Sequence, residues 1–248
     1  LTLRSIEDAP ELALGRFTNQ LKLYILVTLI DYKMITKIPL LLRLKREFQR
    51  KIARAQDLIV EGMIKSFDKI ILHGGTAIWR CYQGNRFSED VDVYISKDND
   101  KINSFFENLK EKGFILEKKK IGENSLYSSL RFENIIVRFE VVFKSVRGEL
   151  KEYETVDGNM ITVRTLLPEE LIKEKIGAYL KRLRVRDLYD IFFLLRHVHD
   201  KRVIKNELKR FLKDFKNPID KENLEILIIS GLTPDIKEML HYIERETK

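Results

Sequence analysis

Residues 74–92 read GGTAIWRCYQGNRFSEDVD. An apolar run at residues 69–73 precedes the glycine pair, and a second apolar run at residues 91–95 follows Asp90 and contains Asp92. Both runs are typical of short strands. Residues i and i+2 of a strand point to the same face, so Asp90 and Asp92 are expected to project side by side. Like charges held together need a cation between them, and a divalent metal is the usual solution. The pattern predicts a site for Mg²⁺ or Mn²⁺.

The glycine pair predicts a phosphate-binding loop beside that metal site. Gly74 and Gly75 lack Cβ, so the backbone can adopt positive φ and a ligand can approach it closely. Thr76 is predicted to be the N-cap of a helix over residues 77–82. A helix N-terminus favours an anion such as a triphosphate. A glycine pair alone is more often a turn, and Asp-x-Asp alone is more often a solvated edge, so the prediction depends on their order.

Two blocks of this sequence resemble the AbiEii/AbiGii-type nucleotidyltransferases, a family of the polymerase-β-like superfamily whose members are often toxins of toxin–antitoxin pairs. The first block comprises GGTAI at residues 74–78 and RFSEDVD at residues 86–92. The second comprises EKIGA at residues 174–178 and RDLYDI at residues 186–191. The resemblance extends over residues 45–200 or so. It implies an α+β fold: a polymerase-β-like nucleotidyltransferase palm, with a mixed sheet and flanking helices, plus a helical C-terminal region.

A third carboxylate lies in the most apolar strand candidate, IIVRFEVVF at residues 135–143. Alternation places Arg138 and Glu140 on one face, where a charge is costly unless it is paired or binds a metal. Two interpretations fit. Glu140 completes a metal-and-base set with Asp90 and Asp92, or Arg138 and Glu140 form a surface pair on an edge strand. The resemblance favours a catalytic Glu140, although superfamily members often have Asp at this place.

The second block is predicted to be helical, with Pro168 in the first turn. Lys175 lies on or beside the apolar stripe, where a lysine either extends its ammonium to solvent or, as the resemblance implies, contacts nucleotide phosphate. Asp187 and Asp190 share a helix face. They either cap the helix and pair with nearby arginines, or one of them belongs to the active site. The resemblance implies the second, and Asp190 is the favoured residue.

We therefore expect an enzyme that moves a nucleoside monophosphate from an NTP to a hydroxyl acceptor and releases pyrophosphate. The metal ligands are expected to be Asp90, Asp92 and Glu140, and Glu140 is also a candidate base. The expected catalytic residues are Asp90, Asp92, Glu140, Lys175 and Asp190. The expected nucleotide-binding residues are Gly74, Gly75, Thr76, Arg86, Ser88 and Lys175.

The charge of the chain favours a nucleic-acid acceptor. Its 248 residues carry a formal charge of +8, and the sequence pI is about 9.3. Residues 41–54 and 173–186 are strongly basic. Such helices are most often solvated faces, but two of them beside a catalytic cleft suit an RNA such as a tRNA 3′ end. Cys81 is the one cysteine and is predicted to be buried, so an intrachain disulfide is impossible and a reducing compartment fits.

The predicted layout has two parts, N-terminal helices and the palm over residues 1–158 and a helical C-terminal domain over residues 159–248. Residues 43–65 form an amphipathic helix, and residues 148–158 a polar connection. The apolar run at residues 21–30 is too short to span a membrane and has no secretory pattern, so it is predicted to be a core helix or a dimer contact. We expect a cytoplasmic protein with no membrane partner.

Three alternative functions remain open from the sequence. The acceptor could be a side-chain hydroxyl of a protein, or a small molecule such as an aminoglycoside, although a basic chain suits a cationic drug poorly. The fold could also be a non-catalytic module that binds RNA or protein, but the intact metal-ligand pattern argues against it. A cognate antitoxin is expected only through the family resemblance, since fold alone does not fix function.

Overall fold

The computed structural model describes residues 38–248, so the predicted helices before residue 38 lie outside the described residues. Its elements in chain order are α1 (Leu40–Arg43), α2 (Glu47–Ser66), β1 (Ile71–His73), α3 (Gly74–Cys81), β2 (Val91–Ile95), α4 (Asn99–Glu111), β3 (Phe114–Ile121), β4 (Ser125–Phe132), β5 (Ile135–Phe143), β6 (Glu149–Glu154), β7 (Met160–Thr165), α5 (Pro168–Arg182), α6 (Val185–Leu194), a 3₁₀ turn (Lys201–Ile204), α7 (Lys205–Lys213), α8 (Asn223–Leu227) and α9 (Ile236–Thr247).

The strands of the described residues form one mixed sheet in the order β3-β4-β5-β2-β1-β7-β6. β5 runs parallel to β2 and β7 runs parallel to β1, whereas the other neighbouring pairs are antiparallel. A mixed sheet with flanking helices and a helical C-terminal region is the predicted architecture, which is therefore confirmed. β6 and β7 pair across residue 158, within a compact unit that extends over Pro39–Lys248. A domain boundary at residue 158 stays a prediction.

One face of the sheet is the apolar core, and this fixes where the charged residues of the strands must point. Phe105 of α4 packs on Phe139 of β5, with ring centroids 5.2 Å apart. The other core-facing residues of β2 and β5 are the buried Val91, Val93, Ile95, Val137 and Val141. Because strand side chains alternate between faces, Asp92 and Glu140 point to the opposite side.

Helix α3 begins three residues earlier than predicted. Its N-cap is His73 and its first residue is Gly74, so Thr76 is not the N-cap and that prediction is wrong. The Thr76 hydroxyl has a different partner, since it donates a hydrogen bond to the carbonyl oxygen of Asp90. The expected end of this helix is close to the observed one, and Cys81 is buried as predicted.

Two other predicted segments differ from the structure. Residues 148–158 are not merely a connection, because they contain β6, whose neighbour in the sheet is β7. Strand β6 reads ELKEYE and lies at the edge of the sheet, where charged residues are common. The helix predicted over residues 43–65 is divided, because α1 ends at Arg43 and α2 begins at Glu47.

The C-terminal region is helical, as predicted. Pro218 lies between α7 and α8, and Pro234 lies between α8 and α9, so both prolines fall at the expected breaks. No helix within residues 38–248 is both long enough and apolar enough to span a bilayer.

A buried ion pair joins α2, α3 and β6. The carboxylate of Asp57 accepts hydrogen bonds from the Arg80 guanidinium, from the Tyr153 hydroxyl at 2.9 Å and from the Val156 N–H at 2.7 Å. The Arg80 guanidinium also lies 4.7 Å from the ring centroids of both Trp79 and Tyr153. The buried charge of Arg80 is stable only beside that of Asp57. The cluster therefore holds α2 and β6 against α3.

We expect the substitution Asp57→Ala to lower the free energy of unfolding by about 3–5 kcal/mol, because it leaves the buried Arg80 charge without its partner. The measurement is urea denaturation followed by circular dichroism. Asp68→Ala is the matched control, since it removes an exposed ion pair with Lys101 and should leave the midpoint unchanged. Equal midpoints for the two variants would contradict a stabilising role of the Asp57–Arg80 pair.

Candidate active site

The parallel pairing of β2 with β5 brings the predicted carboxylates together. Asp92 is the direct neighbour of Glu140 in the register of the two strands, and Asp90 lies just before β2. All three carboxylates line one cavity, together with Gly75, Arg86, Ser88, Arg138, Lys175, Arg182 and Arg186. The cavity therefore combines three acids with five basic side chains. Gly74, Thr76 and Asp190, which the sequence also predicted for the site, are not among its lining residues.

The carboxylates affect one another electrostatically. Burial raises the pKa of Asp92, and the neighbouring Asp90 raises it further, while His73 acts in the opposite direction. Burial also raises the pKa of Glu140, and the charges of Asp92 and Asp90 add to that effect. A cation bound among these groups would relieve the repulsion.

Arg138 contacts Asp90 rather than Glu140. Its Nε and Nη2 atoms donate to the two carboxylate oxygens of Asp90 at 2.6 Å and 2.8 Å. Strand β5 also lies between β4 and β2 and is not at an edge. The alternative of an Arg138–Glu140 pair on an edge strand is therefore wrong, and the Glu140 carboxylate faces the cavity beside Asp92.

The glycine pair allows the backbone to approach the acidic residues closely. Gly74 has φ of +68°, and a Cβ placed on it would lie 2.2 Å from Oδ2 of Asp92. A Cβ on Gly75 would lie 2.4 Å from Oγ of Ser88 and 2.8 Å from Nη2 of Arg86. Any larger residue would displace these side chains, so both positions require glycine.

Thr76 and Gln56 fix the segment that carries Asp90. The Thr76 hydroxyl donates to the Asp90 carbonyl oxygen, and Gln56 Nε2 donates to the Ser88 carbonyl oxygen at 2.9 Å. Thr76 is fully buried, so its observed contacts are with the protein. A direct contact between Thr76 and nucleotide stays a prediction. Gln56 was not predicted from the sequence, because it lies on the preceding helix α2 and belongs to no recognisable motif.

Asp190 forms ion pairs with Arg86 and Lys175, the two basic residues that were predicted to bind the nucleotide. It accepts from Nε and Nη2 of Arg86 at 2.7 Å and 2.9 Å, and its Oδ2 lies 2.8 Å from Nζ of Lys175. Burial alone would raise the pKa of Asp190, but the charges of Arg86 and Lys175 outweigh it and lower the pKa. Lys175 is buried beside this carboxylate, so the alternative of an ammonium extended to solvent is wrong.

Asp187 has a different main partner. Arg182 binds both of its carboxylate oxygens at 2.7 Å, and Nζ of Lys175 is 3.7 Å from Oδ1. Asp187 therefore pairs with a nearby arginine, which is the structural alternative that the sequence left open for it. Asp190 is the closer partner of Lys175, which agrees with the preference for Asp190 over Asp187.

A histidine–glutamate–tyrosine cluster connects helix α5 to the sheet. Nδ1 of His73 lies 3.1 Å from Oε2 of Glu174, and the Tyr94 hydroxyl donates to Oε1 of the same carboxylate. The rings of His73 and Tyr94 are stacked with centroids 4.0 Å apart. Because Glu174 precedes Lys175, the cluster positions the lysine over the sheet. This cluster was not predicted from the sequence. Two features could have indicated it: His73 directly precedes the glycine pair, and Glu174 directly precedes Lys175.

The donor set suits a hard divalent cation. Carboxylate oxygens are the ligands that Mg²⁺ prefers, and Asp92 and Glu140 present theirs side by side. Within the described part of the chain, no three His, Cys, Asp or Glu side chains are grouped around one point. Both carboxylate oxygens of Asp90 are bound by Arg138. A metal site that includes Asp90 together with Asp92 and Glu140 stays a prediction.

Acidic residues on adjacent strands, a tight glycine turn and a basic helix above them define the nucleotidyltransferase class, and similar folds agree. The chain is similar to MenT4, a nucleotidyltransferase toxin from Mycobacterium tuberculosis, with a TM-score of 0.57 and 16% identity over 79% of this chain and 81% of that one. It is also similar to a putative nucleotidyltransferase from Helicobacter pylori, with a TM-score of 0.51 and 21% identity over 79% of this chain and 92% of that one. These likenesses confirm the predicted nucleotidyltransferase fold.

The family model described as "Nucleotidyl transferase AbiEii toxin, Type IV TA system" matches residues 62–247. The chain belongs to this family of nucleotidyltransferase toxins, which confirms the family that the two sequence blocks predicted, and the family model adds the type IV toxin–antitoxin class. A search of curated proteins finds no match to the chain.

Two glycines offer a matched test of the turn. We expect Gly75→Ala to lower the free energy of unfolding by about 1–3 kcal/mol, because the methyl group would overlap Ser88 and an arginine that Asp190 holds in place. Gly177→Ala is the control. Gly177 lies inside α5 with no atom near its Cβ position, so alanine there should raise stability by up to about 1 kcal/mol. Urea denaturation compares the two, and a stabilised Gly75→Ala variant would contradict the close approach.

Proposed function

We propose that this enzyme transfers a nucleoside monophosphate from an NTP to a hydroxyl group of an RNA, such as the 3′ end of a tRNA. Mg²⁺ is the proposed cofactor, with Mn²⁺ as a substitute. The observation that carries the proposal is the register of Asp92 with Glu140, which puts two carboxylates side by side at the floor of a cavity rimmed with cations. Acids on one side and bases on the other suit a metal-bound triphosphate.

The acidic side of the cavity would hold the cation. Asp90, Asp92 and Glu140 supply the oxygen ligands, and a bound divalent cation supplies charge neutralisation on the phosphates. The backbone of Gly75 and the hydroxyl of Ser88 line the same cavity and are placed to contact phosphate oxygens. Because both groups are held by the turn and by Gln56, they need little reorganisation when the nucleotide binds.

The basic side of the cavity would meet the charge of the leaving group. Lys175, Arg182 and Arg186 line it, and all three come from α5 or from the start of α6. The acceptor oxygen forms a bond to the α-phosphorus while the bond from that phosphorus to the bridging oxygen breaks. The bridging oxygen leaves with pyrophosphate, whose negative charge these side chains stabilise.

Glu140 is the proposed acceptor of the proton released by the attacking hydroxyl. Its carboxylate lines the cavity directly beside Asp92, where a hydroxyl bound in the cavity would come within reach of it. Asp190 is proposed to act indirectly. It is fully buried and positions Arg86 and Lys175, so it does not need to touch the nucleotide.

The choice of RNA as the acceptor is supported by charge. The chain carries a net charge of +8, and the basic segment at residues 173–186 supplies three of the side chains that line the cavity. A polyanionic acceptor gains from this charge in both affinity and association rate. The family's toxin–antitoxin class makes a cognate antitoxin a further proposed partner.

The experiment is label transfer from each of the four α-labelled NTPs, with Mg²⁺, in a lysate that contains RNA and protein. We expect the wild-type chain to label RNA with one preferred nucleotide. Asp92→Asn should reduce labelling by at least about a hundred-fold, the order lost when one group that stabilises a transition state is removed. Glu111→Gln is the control, because Glu111 is an exposed carboxylate at the end of α4, away from the cavity.

Protease and ribonuclease digestion then identify the labelled acceptor. Label that survives protease and disappears with ribonuclease supports an RNA acceptor. Label on a protein band would replace RNA with a protein side chain as the acceptor. Full activity in folded Asp92→Asn would contradict the proposed metal site.

A further inference from the structure

The face of β3, β4 and β5 that adjoins the carboxylates is open. The opposite face of these strands holds the buried core, with Leu126, Ser128 and Leu130 of β4 each at most 2% exposed. On the open face Ile136 is 57% exposed and Val142 is 37% exposed, and Arg138 between them is also exposed. The described residues therefore leave this part of the sheet accessible directly beside the cavity.

The strand register places an aromatic ring and a lysine in line with the catalytic acids. Asp92 of β2 pairs with Glu140 of β5, Glu140 pairs with Tyr127 of β4, and Tyr127 pairs with Lys120 of β3. Residues directly opposite one another on neighbouring strands share a face. With strands spaced about 4.8 Å apart, the row extends about 14 Å from Asp92 to Lys120.

A second row lies beside the first and is also basic. Arg138 of β5 pairs with Ser129 of β4, and Ser129 pairs with Lys118 of β3. Nζ of Lys118 lies 5.6 Å from the ring centroid of Tyr127, so a cation already stands beside the aromatic ring. The name open face is used below for the surface formed by Lys118, Lys120, Tyr127, Ser129, Arg131 and Arg138.

This combination of groups fits single-stranded nucleic acid. Such ligands are bound by cations that contact the phosphates and by aromatic rings on which bases stack. The excess positive charge of the open face comes from Lys118 and Lys120, since Arg131 is paired with Glu117 and Arg138 with Asp90. Tyr127 and Glu140 are paired on neighbouring strands, so they are separated by one strand spacing. A base stacked on the Tyr127 ring therefore brings its own ribose close to the Glu140 carboxylate.

We propose that the open face is the binding surface for the 3′ end of the acceptor RNA. The terminal base stacks on Tyr127, the phosphates behind it contact Lys118 and Lys120, and the terminal hydroxyl reaches Glu140. This inference rests on the proposed RNA nucleotidyltransferase activity and adds the surface that selects the acceptor. Lysines on an edge strand can also serve to discourage pairing with other chains, and that role alone predicts no effect on RNA binding.

The test measures binding of a fluorescent single-stranded RNA of about 12 nucleotides, a length within the usual range of site sizes. The full chain carries Asp92→Asn so that the probe is not modified. In this background Tyr127→Ala is expected to weaken RNA binding by about five-fold or more, because the stacked base loses its platform. Tyr127→Phe keeps the ring and should bind as the parent does.

The lysines are tested by the salt dependence of the same binding. The double substitution Lys118→Gln with Lys120→Gln should reduce the slope of log affinity against log salt by about 1.4, which corresponds to two phosphate contacts on a single strand. Lys237→Gln is the control, since Lys237 is exposed on the distant helix α9. NTP binding by each of these variants should equal that of the Asp92→Asn parent, because Tyr127, Lys118, Lys120 and Lys237 do not line the cavity.

The outcomes separate this inference from the proposed function. If the wild-type chain labels RNA but the Tyr127 and lysine variants bind the probe like the parent, the open face is not the acceptor surface and the proposed activity stands. If no RNA is bound or labelled, both proposals fail. Weaker RNA binding by Tyr127→Ala with rescue by Tyr127→Phe, at constant NTP affinity, supports the inference.

Discussion

Charge repulsion among the carboxylates is the constraint on which the rest of the site depends. The parallel pairing of β2 with β5 forces Asp92 and Glu140 into adjacent positions, with Asp90 two residues away. Burial and mutual repulsion raise the pKa of Asp92 and of Glu140. Such a group of acids is stable only beside positive charge, and Arg138 supplies part of it by binding Asp90. A metal-bound nucleotide would supply the remainder.

A second set of interactions fixes where the positive charges stand. Asp190 holds Arg86 and Lys175 in a buried cluster, and Glu174 holds α5 against His73 and Tyr94. Arg86 and Lys175 are therefore not free to move toward Asp92 and Glu140 and neutralise their charges. This separation of charge, kept by the packing of α5 and α6 on the sheet, is what makes the cavity suitable for a triphosphate.

Periodicity and order along the chain were enough to predict strands at residues 69–73, 91–95 and 135–143 and the face on which Glu140 lies. They could not identify the partner of Arg138, because that depends on the register between β2 and β5, which are far apart in sequence. Gln56 and His73 were missed as site residues for the same reason. Strand β6 was missed because its Glu and Lys residues suit an exposed edge and look like a polar connection.

Mn²⁺ titration of the full chain, followed by electron paramagnetic resonance, tests most directly whether the three carboxylates bind a divalent cation. We expect Asp92→Asn to weaken Mn²⁺ binding by at least about ten-fold, with and without NTP, since the loss of even a residue that only supports a metal ligand costs that much. Glu111→Gln should bind Mn²⁺ as the wild type does. Unchanged Mn²⁺ affinity in a folded Asp92→Asn protein would show that Asp92 is not a metal ligand.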